Sequence, residues 1–123
     1  MKENDSIFGD AIYSYSRAQA LEDGVLVDLT QLDPIRRAFK YHVACTDTVW
    51  NIIESATQIE HQELNGIAHD IATMAIFAIR LGKGGDRVNF KVSLAGKTHT
   101  FKLHIGPGDT PEPVITLMLP NED

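Results

Sequence analysis

The sequence predicts an α+β domain in which helices pack on one face of an antiparallel sheet that includes a C-terminal three-stranded meander. Three observations predict this fold class. Between residues 46 and 81 apolar residues recur every three or four positions, which is the spacing of one helical face. From residue 88 onward apolar and polar residues alternate, which is typical of a strand with one buried face. A turn rich in Gly and Pro, residues 106–113, then leads into one last apolar run, residues 114–119.

Short elements are expected at the start of the chain, after residues 1–6, which we expect to be frayed. Ser16 and Gln19 have the spacing of a capping box, and Gly24 can adopt the left-handed conformation that ends a helix. Residues 17–23 are therefore predicted to form a short helix. The apolar residues at 25–29 then have the composition of a strand.

A second short helix is predicted over residues 35–39. Asp33 followed by Pro34 combines an N-cap residue with the residue that favours the first helical position. Residues 41–45 are expected to be extended. Thr46 can then cap a third helix.

Two longer helices follow. The first carries its apolar face at Val49, Ile52, Ile53, Ala56 and Ile59; the second carries it at Leu64, Ile67, Ile71, Met74, Ala75, Ala78 and Leu81. Glycines at 82, 84 and 85 end the second helix. Ile76, Phe77 and Ile79 lie off its apolar face, so we expect either a homodimer through them or coverage by the N-terminal segment.

The alternating region predicts a β-hairpin followed by one further strand. The expected inner face has Val88, Phe90, Val92, Leu94, Phe101, Leu103, Ile105, Ile115, Leu117 and Leu119. Residues 95–97 turn the chain between the first two strands. Lys91, Lys102 and His104 are expected to face water, with Val114, Thr116 and Met118 on the same outer side.

Composition restricts the class of protein. The chain has 123 residues, which predicts a single domain over 1–123, and its net charge is −6, from 17 acidic and 11 basic residues. This charge disfavours a protein that binds nucleic-acid phosphates and permits a basic partner, although solubility alone also explains it. The polar start, the lone Cys45 and the charged residues that interrupt the apolar region 67–81 favour a cytoplasmic protein without disulfides or a membrane span.

No motif predicts a catalytic or metal site, and we expect no cofactor and no metal. The turn at 106–109 lacks a phosphate-binding pattern, because a strand follows it and its prolines lack N–H groups. The five histidines lack ligand spacing, so surface positions are favoured for them. Cys45 precedes a predicted helix and could act as a nucleophile, but a buried apolar role is favoured.

The strongest candidates for binding are aromatic and charged residues near the two ends of the chain. Tyr13, Tyr15 and Arg17 combine residue types that are common at interface hot spots. A second candidate patch is acidic, with Asp109, Glu122 and Asp123. Solvated surface is the competing interpretation of Tyr13, Tyr15 and Arg17, and the two tyrosines could instead pack the N-terminal segment onto the helices. Gatekeeping of the sheet edge competes for the acids.

Residues 7–28, which begin Ile-Phe-Gly-Asp-Ala-Ile-Tyr-Ser-Tyr-Ser-Arg-Ala-Gln-Ala, resemble the opening of a family of small uncharacterised proteins of bacteria, plasmids and phages, a domain of unknown function. Gly-Pro-Gly-Asp at 106–109, Pro-Val-Ile-Thr-Leu-Met-Leu-Pro at 113–120 and Glu-Asp at 122–123 resemble its ending. The resemblance implies a mobile-element setting and supplies no catalytic residue.

These observations favour a non-enzymatic protein that binds a host macromolecule, for example a component of a defence system, with a protein as its partner. The alternative is a small-molecule or nucleotide-binding protein or a small enzyme. Its site would lie near Tyr13, Tyr15, Arg17 and the Gly108–Asp109 turn, if the fold brings the two ends together.

Overall fold

The computed structural model describes residues 15–59, 63–82 and 84–122. Within them the chain forms four helices around a five-stranded sheet, which confirms the predicted α+β class. In chain order the elements are α1 (Arg17–Asp23), β1 (Leu26–Asp28), α2 (Asp33–Ala38), β2 (Val43–Thr46), α3 (Asp47–Ile59), α4 (Leu64–Leu81), β3 (Arg87–Leu94), β4 (Lys97–Pro107) and β5 (Pro113–Met118).

The sheet has the strand order β1-β2-β5-β4-β3, and the predicted meander of β3, β4 and β5 is antiparallel throughout. The pairing of β2 with β5 is parallel, so the complete sheet is mixed. A two-residue turn joins β3 to β4, with Ala95 at φ 52° and Gly96 at φ 75°. Positive φ at both positions matches the twist of the two strands, which makes this a tight hairpin.

The short helices begin and end for identifiable reasons. The predicted capping box is present at α1: the Ser16 side chain accepts from the Gln19 N–H, and the Gln19 side chain accepts from the Ser16 N–H. The prediction that Asp33 is the N-cap of α2 is wrong. Leu32 occupies that position, and Asp33 lies in the first turn, where its carboxylate pairs with Arg36.

The core lies between the inner face of the sheet and helices α2, α3 and α4. Phe101, Leu103, Ile115 and Leu117 are buried on this face, as predicted. The outer face of the sheet is less exposed to solvent than predicted, because α1 and the C-terminal turn lie over it. Lys91 is exposed, but Lys102 and His104 are partly covered and Met118 is only 6% exposed.

Helix α4 is long and apolar enough to cross a membrane by length and composition alone, with a mean hydropathy of 1.2 over 18 residues. The same helix buries Ile67, Ile71 and Ala75 in the core and carries Asp70 and Arg80. One such helix is weak evidence for a membrane span, because the core helix of a soluble protein passes the same test.

Candidate functional site

Arg17 connects the first helix to the last strand. Its guanidinium donates to the Thr116 hydroxyl and to the Ile115 carbonyl, each at 2.7 Å. Thr116 pairs with Ala44 and His104 on the outer face, so this contact fixes α1 over that face. Burial lowers the pKa of Arg17, and the nearby carboxylates of Asp109 and Asp28 oppose that change.

Asp109 completes the same junction from the turn between β4 and β5. Its two carboxylate oxygens accept the backbone N–H groups of Arg17, at 2.8 Å, and Ala18, at 3.0 Å. These bonds hold the pKa of Asp109 below its ordinary value. A carboxylate at this position also complements the helix dipole. The structure therefore brings Arg17 and the Gly108–Asp109 turn together, which is the condition for a site between them.

The turn itself is a tight connector, as its sequence favours. A Cβ added at Gly108 would lie 2.9 Å from Cγ1 of Val114, closer than such atoms approach in proteins. Only glycine therefore lets the chain pass Val114 and present Asp109 to the start of α1. The turn serves the architecture of the junction.

Tyr15 is the predicted aromatic that remains accessible, with 55% of its surface exposed. Its hydroxyl donates to the Asp23 carboxylate at 2.5 Å, and this bond raises the pKa of the phenol. Tyr13 lies outside the described residues. The ring of Tyr15 is thus tied to α1 at its hydroxyl and remains more than half exposed.

Glu122 lies at the other end of β5 from Asp109, roughly 20 Å of strand away at the usual rise per residue. Its carboxylate accepts from the Thr46 hydroxyl, at 2.9 Å, and from the Leu119 N–H, at 2.8 Å. Thr46 also caps α3 by accepting from the Val49 N–H. Glu122 therefore ties the C-terminal turn to the start of α3. Asp123 lies outside the described residues.

The structure also locates Cys45, which was considered as a nucleophile, and the residues that could have formed a metal site. Cys45 is fully buried in β2, and burial, aided by Asp47 and Glu122, raises the pKa of its thiol to about 12. A thiol with that pKa is not a nucleophile near neutral pH. Across residues 15–59, 63–82 and 84–122, no group of three His, Cys, Asp or Glu side chains could hold a metal ion.

A groove between α3 and the end of the β3–β4 hairpin was not predicted from the sequence. It encloses about 470 Å³, and we call it the α3–hairpin groove. The helix lines it with every third or fourth residue over about 16 Å of helix length. Its lining residues are Thr48, Asn51, Ile52, Ser55, Ala56, Ile59, Leu94, Ala95, Lys97 and His99.

The polar side of the groove comes from the start of β4. His99 stacks on Phe101, with ring centroids 6.0 Å apart and an interplanar angle of 14°. Burial, and then the charge of Lys97, lowers the pKa of His99, which favours the neutral ring. Among the described residues that line the α3–hairpin groove, Lys97 carries the only formal charge.

A signal for the groove was present in the sequence. Alternation along β4 puts His99 on the same face as Phe101, although surface positions were expected for the histidines. Ile59 closes the apolar face of α3, and the structure leaves it 69% exposed. An apolar residue at the very end of a helical face, too far along the helix to enter the core, is the sequence pattern that could have indicated this groove.

Comparisons with known proteins support the resemblance to a family of unknown function. The searches of curated proteins and of solved structures found no match. One family model matches residues 4–123, nearly the full chain. The protein therefore belongs to the family of unknown function DUF6573.

Proposed function

We propose that this protein is a small acidic, non-enzymatic binding protein of the cytoplasm that holds a protein partner in the α3–hairpin groove. If the chain comes from a phage or plasmid, as the resemblance implies, the partner is a host macromolecule such as a defence-system component. The observation that carries the proposal is the groove itself, an open apolar surface with a polar edge.

The shape of the groove favours a protein over a small ligand. Its apolar lining continues onto open surface at Ile59, which is 69% exposed. Binding of a partner protein there would bury apolar surface on both proteins, and that burial stabilises the complex. Asn51 and Ser55 on α3 and Lys97 on β4 supply polar groups at the rim, which is the usual anatomy of an interface.

The residues chosen from the sequence form a second contact region in this proposal. Tyr15 supplies an exposed aromatic ring, and Arg17 and Asp109 hold the helix against which it rests. The acidic residues act over longer range, because a net charge of −6 steers a basic partner toward the protein.

The test uses the immobilised full chain to capture a partner from host lysate, followed by affinity measurements with variants. Ile59→Glu places a charge in the groove and is expected to weaken binding by about thirtyfold or more, the effect of losing a hot-spot residue. Gln58→Glu is the matched control, since it adds the same charge at the neighbouring exposed position outside the groove lining. Equal affinities of the two variants would place the partner elsewhere.

The second candidate function is capture of a small amphipathic anion in the same groove. Its volume of about 470 Å³ is within the usual range for ligand sites, and Lys97 supplies the matching charge. Native mass spectrometry of the purified protein would detect a retained ligand. The ligand is expected to be lost in Lys97→Ala, whereas a protein partner anchored at Ile59 should tolerate that change.

A further inference from the structure

Strand β3 forms one edge of the sheet. It has eight residues, about 27 Å of strand at the usual rise, whereas β1 at the opposite edge has three. Its pairing with β4 is one-to-one throughout, so it contains no bulge, and its sequence contains no proline. Short strands, bulges and prolines are common means by which proteins close a sheet edge, and β3 has none of them.

The hydrogen-bonding pattern shows which backbone groups of β3 point away from the sheet. The Ile105 N–H donates to the Asp86 carbonyl at 2.8 Å, so these two residues form a hydrogen-bonded pair. Such pairs alternate along an antiparallel ladder, so the even-numbered residues of β3 bond to β4 and the odd-numbered residues turn their N–H and C=O groups outward. The outward residues, all exposed, are Arg87, Asn89, Lys91 and Ser93. No residue that the structure describes makes a hydrogen bond to their outward groups.

The charges of the hairpin indicate which kind of strand fits this edge. Residues 87–108 contain four basic residues and no acidic residue, although the net charge of the chain is −6. Arg87 and Lys91 are exposed on the outer side of the edge, and no carboxylate of a described residue pairs with either. Acidic side chains are therefore favoured on the outer side of an added strand. A second copy of β3 would instead bring its own Arg87 and Lys91 to this side, and like charges oppose that pairing.

A basic cleft lies on the outer side of the sheet beside this edge. It encloses about 360 Å³ and is lined by Arg87, Lys102, His104 and Met118. The ammonium of Lys102 also donates to the Glu122 carbonyl, and the Asp86 carboxylate lies 3.8 Å from Nε2 of His104. Arg87 is therefore the cation of this cleft that is best placed to receive a carboxylate from an added strand.

An apolar cavity lies on the inner side at the same end of β3. It encloses about 140 Å³, and Ile79, Val88, Leu103 and Ile105 contribute its apolar lining. Ile79 is 39% exposed, and Val88 is half-buried. Successive side chains of a strand point to opposite faces. An added strand can therefore place apolar side chains on the side of the cavity and acidic side chains on the side of the cleft.

We propose that β3 binds an extended segment of a partner protein as a sixth strand of the sheet, and that this segment alternates apolar residues with Asp or Glu. A row of outward donors and acceptors is matched by another extended backbone, which supplies the affinity. The acidic side chains opposite Arg87 and Lys91 select the sequence. Residues 87–93 do not line the α3–hairpin groove, so this proposal does not rest on the proposed function.

The first experiment measures the binding of two synthetic peptides to the full chain. Both have the length of β3; one alternates Val with Glu, and the other alternates Val with Lys. The Val–Glu peptide is expected to bind about tenfold more tightly or better, because the Val–Lys peptide brings like charges to Arg87 and Lys91. Equal affinities of the two peptides would refute the selection of an acidic strand.

Two pairs of variants separate the backbone from the charge. Asn89→Pro removes an outward N–H that β4 does not use, so the chain should keep its circular dichroism spectrum and lose the Val–Glu peptide. Asn89→Thr keeps this N–H and should bind like the wild type. Lys91→Glu should weaken binding about three- to tenfold. Lys40→Glu makes the same change at an exposed residue outside the hairpin and should leave the affinity unchanged.

Amide hydrogen exchange, measured by NMR, reads the geometry directly. Without peptide, the even-numbered residues of β3 should exchange slowly and the odd-numbered residues fast, because only the even-numbered ones bond to β4. The Val–Glu peptide should slow the exchange of the odd-numbered residues. Slow exchange of these residues without peptide would show that a second copy or another part of the chain already covers the edge. That result, or peptide binding that leaves their exchange fast, would overturn the proposal.

Discussion

Replacing Phe101 by Ala tests the assignment of the inner face at its centre. Phe101 has none of its surface exposed and meets the ring of Phe90 edge-on, with centroids 6.0 Å apart and an interplanar angle of 75°. Truncating a fully buried Phe typically costs about 3–5 kcal/mol through lost burial and the cavity that remains. The loss of the ring contacts places Phe101→Ala toward the upper part of that range.

Urea unfolding followed by fluorescence and circular dichroism measures this cost. The matched control is Phe77→Ala, the same truncation at a ring that is 56% exposed, for which a loss of at most about 1 kcal/mol is expected. Both proteins should show the same dependence of the unfolding free energy on urea concentration, because the surface exposed on unfolding is nearly unchanged. Similar losses for the two variants would refute the assignment of Phe101 to the core and Phe77 to the surface.

Three substitutions and one labelling experiment probe individual groups. The fold holds the pKa of His99 below its ordinary 6.5, so the unfolded chain binds more protons than the folded chain. The free energy of unfolding should therefore fall as the pH drops below 6.5. His99→Gln should reduce this dependence of stability on pH, as measured by melts at several pH values. The fold also lowers the pKa of Asp109 from 3.8, so the contribution of its carboxylate to stability is full above that pH and is lost as the pH falls through the folded value. Asp109→Asn should therefore lower the melting temperature at pH 7 and should match the wild-type melting temperature in strong acid. Cys45, with a pKa of about 12 and no exposed surface, should resist a thiol reagent at pH 8 until denaturant is added, and fast labelling of the native chain would contradict its burial. Ala95 has φ 52°, so Ala95→Asn should raise the free energy of unfolding by about 0.5–1 kcal/mol, and a loss would show that the methyl group matters more than the turn.

The two sequence stretches that resemble the family meet in the structure. Arg17 belongs to the first stretch, and Asp109 and Thr116 belong to the second. Two backbone hydrogen bonds to Asp109 and one side-chain bond to Thr116 join them. Much of what these stretches specify is therefore the junction of α1 with the outer face of β5, and the residues that line the α3–hairpin groove lie outside both stretches.

The sequence by itself determined most of the local structure. The bounds of α1 follow from Ser16, Gln19 and Gly24, because capping is satisfied within a few residues. Helix α4 and the hairpin follow from periods of 3.6 and 2, which report on the side that each element buries. The burial of Phe101 is another consequence of that alternation.

Tertiary structure decided what periodicity cannot encode. The parallel pairing of β2 with β5 joins segments about 70 residues apart, and no local signal specifies it. Tertiary contacts also assign Arg17, Asp109 and Glu122 to internal hydrogen bonds, since a polar residue in a sequence does not reveal its distant partner. The α3–hairpin groove arises in the same way, because a groove is the space between two elements and each element was predicted alone.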